Sequence, residues 1–139
     1  MIVLDTNVLS EIIRPEPDER VMSWLDSLDA ATVATTSVTA AELLYGLTRL
    51  PDGQRKTALG KAVRGLLYED LDGRVEPFDG PAAEHYASIV SKREAAGRPI
   101  GIADAQIAAI CRKLSATLAT RNTDDFQATG IELVNPWDS

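Results

Sequence analysis

Short apolar runs alternate with amphipathic stretches along this chain, and each change of rhythm falls at a polar turn. Ile2–Leu4 is an unbroken apolar run, the pattern of a strand buried on both faces. Thr6-Asn7 opens a turn. Val8–Ile13 predicts a short helix stopped by Pro15 and Pro17, which lack the amide proton that a helix needs. Asp18 is placed to cap a second helix, whose Val21, Trp24, Leu25 and Leu28 follow i, i+3, i+4, i+7 spacing. Thr32–Thr36 is rich in β-branched residues and predicts a second strand. Thr39 and Glu42 have the spacing of a capping box, and Leu43, Leu44, Leu47 and Leu50 give the helix behind them one apolar face. Pro51-Asp52-Gly53 turns the chain into a longer helix with Leu59, Val63, Leu66 and Leu67 on one side. The two helices read as an antiparallel hairpin that offers a surface to a partner.

The rhythm then repeats. Arg74–Phe78 is a short strand candidate, and Pro81 suits the first turn of a helix whose buried stripe is Ala82, Tyr86, Ile89 and Val90. Gly97 ends that helix. Another begins near Ile102, with Ala103, Ile107, Ile110, Cys111 and Leu114 inward. Thr117–Thr120 predicts a strand, Arg121–Asp125 a polar turn in which Asp124 or Asp125 caps a short terminal helix, and Ile131–Val134 a last strand. Strands that alternate with helices imply an α/β fold, a mainly parallel sheet covered on both faces.

Composition narrows this without changing it. The 139 residues, 45% hydrophobic and 25% charged, suit one domain over residues 1–139 with a full core. No stretch is long and apolar enough to span a bilayer. No basic region precedes the first apolar run, and Asp5 ends it at once, so it reads as a strand rather than a signal peptide. Cys111 is the only cysteine, so no internal disulfide forms, and a cytoplasmic location is expected. The net charge of −7, from 14 Lys and Arg against 21 Asp and Glu, argues against general nucleic-acid binding. A nucleic-acid substrate requires a local basic strip, a metal or a basic partner. Arg49, Arg55, Lys56, Lys61 and Arg64 could form one such strip with only Asp52 among them, although a solvated helix face is the plainer reading of them.

The candidate chemistry is acidic. Asp5 ends the first strand, Glu42 and Asp104 each fall in the first turn of a predicted helix, and Asn122 follows a later strand. In a parallel α/β sheet, strand ends and helix starts line one edge, where sites form. Carboxylates gathered there repel one another, and a hard divalent cation held by oxygen ligands resolves the repulsion. Mg2+ or Mn2+ then polarises a phosphate and activates a water for in-line attack. Each residue also has a plain role: Asp5 in capping a turn, Glu42 in its capping box, Asp104 against the helix dipole, Asn122 as a turn former. Cys111 reads as core, His85 as packing or surface, and Trp24 and Trp137 as core or interface.

Four segments, in order, carry a resemblance: Ile2-Val3-Leu4-Asp5-Thr6-Asn7-Val8-Leu9-Ser10, Thr39-Ala40-Ala41-Glu42-Leu43, Ile102-Ala103-Asp104-Ala105-Gln106-Ile107-Ala108 and Leu118-Ala119-Thr120-Arg121-Asn122-Thr123. Together they resemble the PIN-domain ribonuclease toxins of the VapC family. Arg14-Pro15 through Trp24-Leu25-Asp26-Ser27, with the ending Val134-Asn135-Pro136-Trp137, is similar to the FitB-like subgroup. The resemblance implies a three-layer α/β/α sandwich with a short parallel sheet. It also implies a Mg2+- or Mn2+-dependent endoribonuclease, the toxin half of a type II toxin–antitoxin pair. Asp5, Glu42 and Asp104 fall on the family's acidic metal positions. Thr6 falls on its small hydroxyl position, a candidate for water or phosphate. Asn122 falls where many members carry aspartate, which removes a charge and favours one firmly held metal over two. Thr6, Thr120 and Asp125 are secondary candidates, Asp125 as a replacement carboxylate that its capping role opposes.

The same resemblance implies a homodimer and a small VapB- or FitA-like antitoxin that covers the site and reaches operator DNA. A basic antitoxin tail suits the acidic chain. The competing function is a binding module: a PIN-fold co-repressor partner with weak catalysis because Asn122 replaces an acid. A receiver domain is disfavoured because Leu4 rather than an acid precedes Asp5. A haloacid-dehalogenase-type phosphatase is disfavoured because Asn7 stands where its second aspartate belongs.

Overall fold

The first strand, β1 (Ile2–Leu4), lies at the centre of a five-stranded sheet. A computed structural model describes residues 1–139. The other strands are β2 (Val33–Thr36), β3 (Val75–Glu76), β4 (Thr117–Ala119) and β5 (Glu132–Val134), in the order β3-β2-β1-β4-β5 with every pairing parallel. The helices are α1 (Thr6–Ile12), α2 (Glu19–Asp26), α3 (Ser37–Thr48), α4 (Gln54–Gly65), α5 (Gly80–Ala95) and α6 (Ile102–Leu114). The expected strands are all present; β1 has its expected bounds and the other four are each a little shorter than their patterns.

Alternation within β1 divides the core in two. Leu4 joins Val8, Leu9, Val21, Leu47, Val63 and Leu67 on the face covered by α1 to α4. Val3 joins Ile89, Ile107, Ala108, Leu118 and Phe126 on the face covered by α5 and α6. Adjacent strand residues point to opposite faces, so a three-residue strand needs apolar side chains throughout. The result is the expected α/β/α sandwich. No helix is long and apolar enough to cross a membrane.

Local chemistry sets the element ends. Asp18 accepts from the Arg20 amide at the start of α2, and Asp79 accepts from the Ala82 amide at the start of α5. Asp79 also pairs with Lys113, tying α5 to α6. Gly97 takes φ +71° just past α5, a conformation that glycine adopts without strain.

Two local expectations fail. The Thr39/Glu42 capping box does not form, because α3 starts three residues earlier. Thr36 is its cap and accepts from the Thr39 amide at 3.0 Å. The run Thr36-Ser37-Val38-Thr39 offers several hydroxyls, and the cap goes to the one at the strand end. Glu42 therefore stands in the second turn, not the first. The helix after α3 also does not run evenly to Leu67: its last turn, Leu66–Asp70, widens to π geometry.

Candidate functional site: an acidic cleft at the sheet switch point

Strand order reverses at β1, whose neighbours are β2 on one side and β4 on the other. The chain leaves these strands in divergent directions, which opens a crevice beyond their carboxyl ends. A cleft of about 430 Å³ lies there, lined among others by Asp5, Thr6, Glu42, Asp104, Arg121 and Asn122. Four positions expected to form one site thus share one concavity.

Asp5 is the most tightly held. It is only 5% exposed. One carboxylate oxygen accepts from the Thr6 amide at 2.8 Å, and the other accepts from the Thr120 hydroxyl at 2.8 Å and from Asn7 Nδ2 at 3.4 Å. The turn-capping role is therefore real, and it coexists with a place on the cleft wall. Burial pushes the Asp5 carboxyl above its ordinary range, against the Thr120 and Thr6 hydrogen bonds that pull it down, and the charge of Glu42 adds to the rise.

Thr120 is the hub on β4's side. Its fully buried hydroxyl donates to Asp5 and accepts from Asn7 Nδ2 at 3.2 Å and from the Asn122 amide at 3.1 Å. Asn7 completes the tie, since its Oδ1 accepts from the Arg121 amide at 3.1 Å. The ends of β1 and β4 are thereby locked together by polar side chains.

Glu42 is exposed on α3, and its Oε1 accepts from the Thr6 hydroxyl at 2.9 Å. That hydroxyl also lies 3.3 Å from the Thr39 hydroxyl. Thr6 is thus committed to orienting Glu42. Asp104, the third residue of α6, is half-buried. Its carboxyl is pushed up to about 6, first by burial and then by the charges of Asp5, Asp125 and Glu42, with Arg93 opposing. The charges of Asp5 and Glu42 thus reach Asp104 across the cleft. None of Asp5, Glu42 and Asp104 forms an ion pair.

Asn122 is exposed; its amide donates to the Thr120 hydroxyl and its carbonyl accepts from the Asp125 amide, while its side chain makes no cap. Asp124 and Asp125 do not cap a helix either. The following 3-10 turn spans Thr123–Phe126, so both acids are already past the cap position. Asp125 is therefore free of that competing role, and its charge reaches Asp104.

Two charged residues escape sequence reasoning. Glu11 lines the same cleft yet is buried. It accepts from Arg14 at 3.1 and 3.3 Å and from the Asp18 amide at 3.0 Å, fixing the proline-bearing loop between α1 and α2. Arg93 is 5% exposed and donates to the carbonyls of Arg98, Asp125 and Gln127. It pins the turn that carries Asp125. Helical periodicity places Glu11 beside Val8 and Leu9 and gives no sign that distant backbone groups satisfy it. Cys111 is core as expected, with burial pushing its thiol up to about 12.

The basic strip is spread over α4 and its flanks. Lys56, Lys61 and Arg64 border a shallow surface depression with Asp52 and Glu69, and Lys56 pairs with Asp52 at 3.2 Å. A separate apolar groove of about 660 Å³ runs between α3 and α4, lined by residues such as Leu43, Leu47, Leu50 and Leu59. It shares Thr6, Arg14 and Glu42 with the acidic cleft.

The donor set is all hard oxygen, as Mg2+ and Mn2+ prefer. No group of three or more carboxylate, imidazole or thiol side chains forms a ready-made metal cage. Mg2+ does not need one, because it binds through one or two carboxylates and keeps several waters. Uncompensated acids around an open cleft fit such an ion.

The model of the PIN domain matches residues 2–132. A VapC ribonuclease, Y4jK, from Sinorhizobium fredii is 41% identical over 138 residues, covering 99% of each chain. The toxin FitB of Neisseria gonorrhoeae is 43% identical over 137 residues, again covering 99% of each. The solved structure of FitAB bound to IR36 DNA superposes with a TM-score of 0.92 at 42% identity, covering 99% of this chain and 96% of that one.

Proposed function

The chain belongs to the PIN-domain family, among the VapC and FitB toxins, and from that premise we propose that it is a metal-dependent endoribonuclease, the toxin half of a type II toxin–antitoxin pair. The observation that carries the proposal is the convergence of Asp5, Glu42 and Asp104 on one open cleft with no cation paired to any of them.

Asp5, Asp104 and Glu42 would hold Mg2+ or Mn2+, with the Asn122 side chain at the rim. A bound divalent ion would polarise the phosphodiester and make water nucleophilic at neutral pH. The chain's own residues supply the rest. Thr120 and the Thr6 amide fix the Asp5 carboxylate so that its oxygens are set before any ligand arrives. Thr6 fixes Glu42 through its hydroxyl. Asp104, with its raised proton affinity, is a candidate to accept a proton from the attacking water. Thr120 and Asp125 act in support, Thr120 through Asp5 and Asp125 through its charge on Asp104.

A homodimer, a cognate VapB- or FitA-like antitoxin over the cleft, and operator DNA reached only through that antitoxin complete the proposal. FitAB bound to DNA and the net charge of −7, which suits a basic antitoxin tail, support it.

Sequencing of RNA ends after brief induction, with Asp5→Asn as control, tests the reading. Discrete new ends and growth arrest are expected from the native chain and not from Asp5→Asn. Purified protein should cleave RNA with Mg2+ or Mn2+ and stop when EDTA is added. Cleavage that survives both the substitution and EDTA refutes a metal mechanism. Absence of both cleavage and arrest favours the co-repressor reading, which the neutral Asn122 supports.

A further inference from the structure

The acidic cleft has two arginines on its lining, and they differ in one decisive respect. Arg14 is engaged by the buried Glu11 carboxylate at 3.1 and 3.3 Å, so its charge is already matched. Arg121 has no carboxylate partner at all. Its guanidinium instead lies over the Trp137 ring, 5.0 Å from the centroid.

This arrangement is held from several directions. Trp137 is 5% exposed and belongs to the core cluster beneath α1 to α4. Its amide donates to Asn135 Oδ1 at 2.9 Å in the C-terminal turn Pro136–Asp138. The backbone of Arg121 is tied by its amide to Asn7. An aromatic face attracts a guanidinium without neutralising it. A free arginine on the lining of an acidic cleft would be expected to fold onto a carboxylate, and this one instead lies over the ring.

We propose that Arg121, parked on Trp137, is the residue that grips an RNA backbone phosphate beside the acidic site. The proposal rests on the ribonuclease reading above. An acidic cleft repels a polyanion, and a bound divalent ion alone leaves the flanking phosphates unattended. A planar guanidinium offers two parallel donors to phosphate oxygens, a geometry that lysine lacks. Trp137 is then a positioning residue that acts through Arg121.

Two measurements test this. In the first, cleavage of a short single-stranded RNA is followed for native protein, Arg121→Gln and Arg121→Lys. Arg121→Gln should raise KM by roughly tenfold with kcat within about twofold, the signature of lost uniform binding. Arg121→Lys should recover part of that loss. In the second, binding of the same RNA, fluorescein-labelled, is measured against salt in the Asp5→Asn parent. Adding Arg121→Gln should reduce the slope of log K against log salt by about 0.7, the value for one phosphate contact on a single strand.

Trp137→Phe gives the discriminating result. It should weaken RNA binding when Arg121 is present and leave it unchanged when Arg121 is already glutamine. An equal effect in both backgrounds would reduce Trp137 to a packing residue and overturn the pairing. An unchanged KM and salt slope in Arg121→Gln would overturn the proposal outright while leaving the nuclease reading intact. If the native chain does not cleave RNA, the nuclease reading fails, and the binding series still decides whether Arg121 contacts phosphate.

Discussion

On the β1–β4 wall of the cleft, Asp5 is buried and accepts from the Thr6 amide, the Thr120 hydroxyl and Asn7. On the α3 wall, Glu42 is exposed and accepts from Thr6 alone. The carboxylates are chemically alike, but their surroundings differ. The first wall is rigid because its donors come from the start of α1 and the end of β4, which are tied to one another. The second is a helix surface that a bound ion can still adjust. A site built this way has one fixed reference and one adaptable side, which suits a hydrated cation that tolerates few rigid ligands.

That difference predicts an order of effects. Asp5→Asn strikes the fixed reference and should lower RNA cleavage by at least about a hundredfold, measured by initial rates, with the fold retained by circular dichroism. Thr120→Val leaves the carboxylate in place but removes its clamp. It should lower metal affinity or activity by about 10- to 100-fold and cost about 1–3 kcal/mol, because Asn7 and the Asn122 amide lose a buried partner. Denaturant unfolding and metal titration read the two effects separately. Glu42→Gln alters the adaptable wall and should cost only about tenfold. A loss at Glu42 as large as that at Asp5 would erase the distinction between the walls.

Asp104→Asn separates stability from activity. Its carboxyl is raised from 3.8 to about 6, so the folded state binds its proton more tightly than the unfolded chain does. The ionisation penalty is therefore absent below about pH 4, grows as pH rises, and is complete above about 6. One pKa unit is worth about 1.4 kcal/mol, but Asp104 is only half-buried and solvent screens it, so a gain of about 1 kcal/mol is expected. Urea unfolding in EDTA should find Asp104→Asn more stable than the native protein at pH 7.5 and no more stable at pH 3.5. Equal stability at both values would mean that neither burial nor the neighbouring acids penalise the Asp104 charge.

The sequence made the fixed wall easier to read than its supports. Asp5 ends an apolar run, and Asp104 opens an amphipathic one, so pattern alone located both. Asn7, Thr120 and Arg121 act through contacts with residues more than a hundred positions away, and no local rhythm encodes those. Glu11 and Arg93 are charged residues inside the fold, satisfied by the Arg14 side chain and by backbone groups that only tertiary structure brings near. The helix cap was misplaced by three residues because neighbouring hydroxyls compete for the same role, and strand geometry chose Thr36. The π turn at Leu66–Asp70 left no mark on the leucine spacing.

The Thr120–Asp5 hydrogen bond spans 115 positions, and this sets when the site can form. Asp5 leaves the ribosome roughly ten seconds before Thr120 at ordinary elongation rates. β1 meanwhile waits for β4 before its second edge is paired. A nascent or prematurely terminated chain therefore carries the acids without the site. The acidic cleft is therefore completed only once β4 and the turn after it have been made.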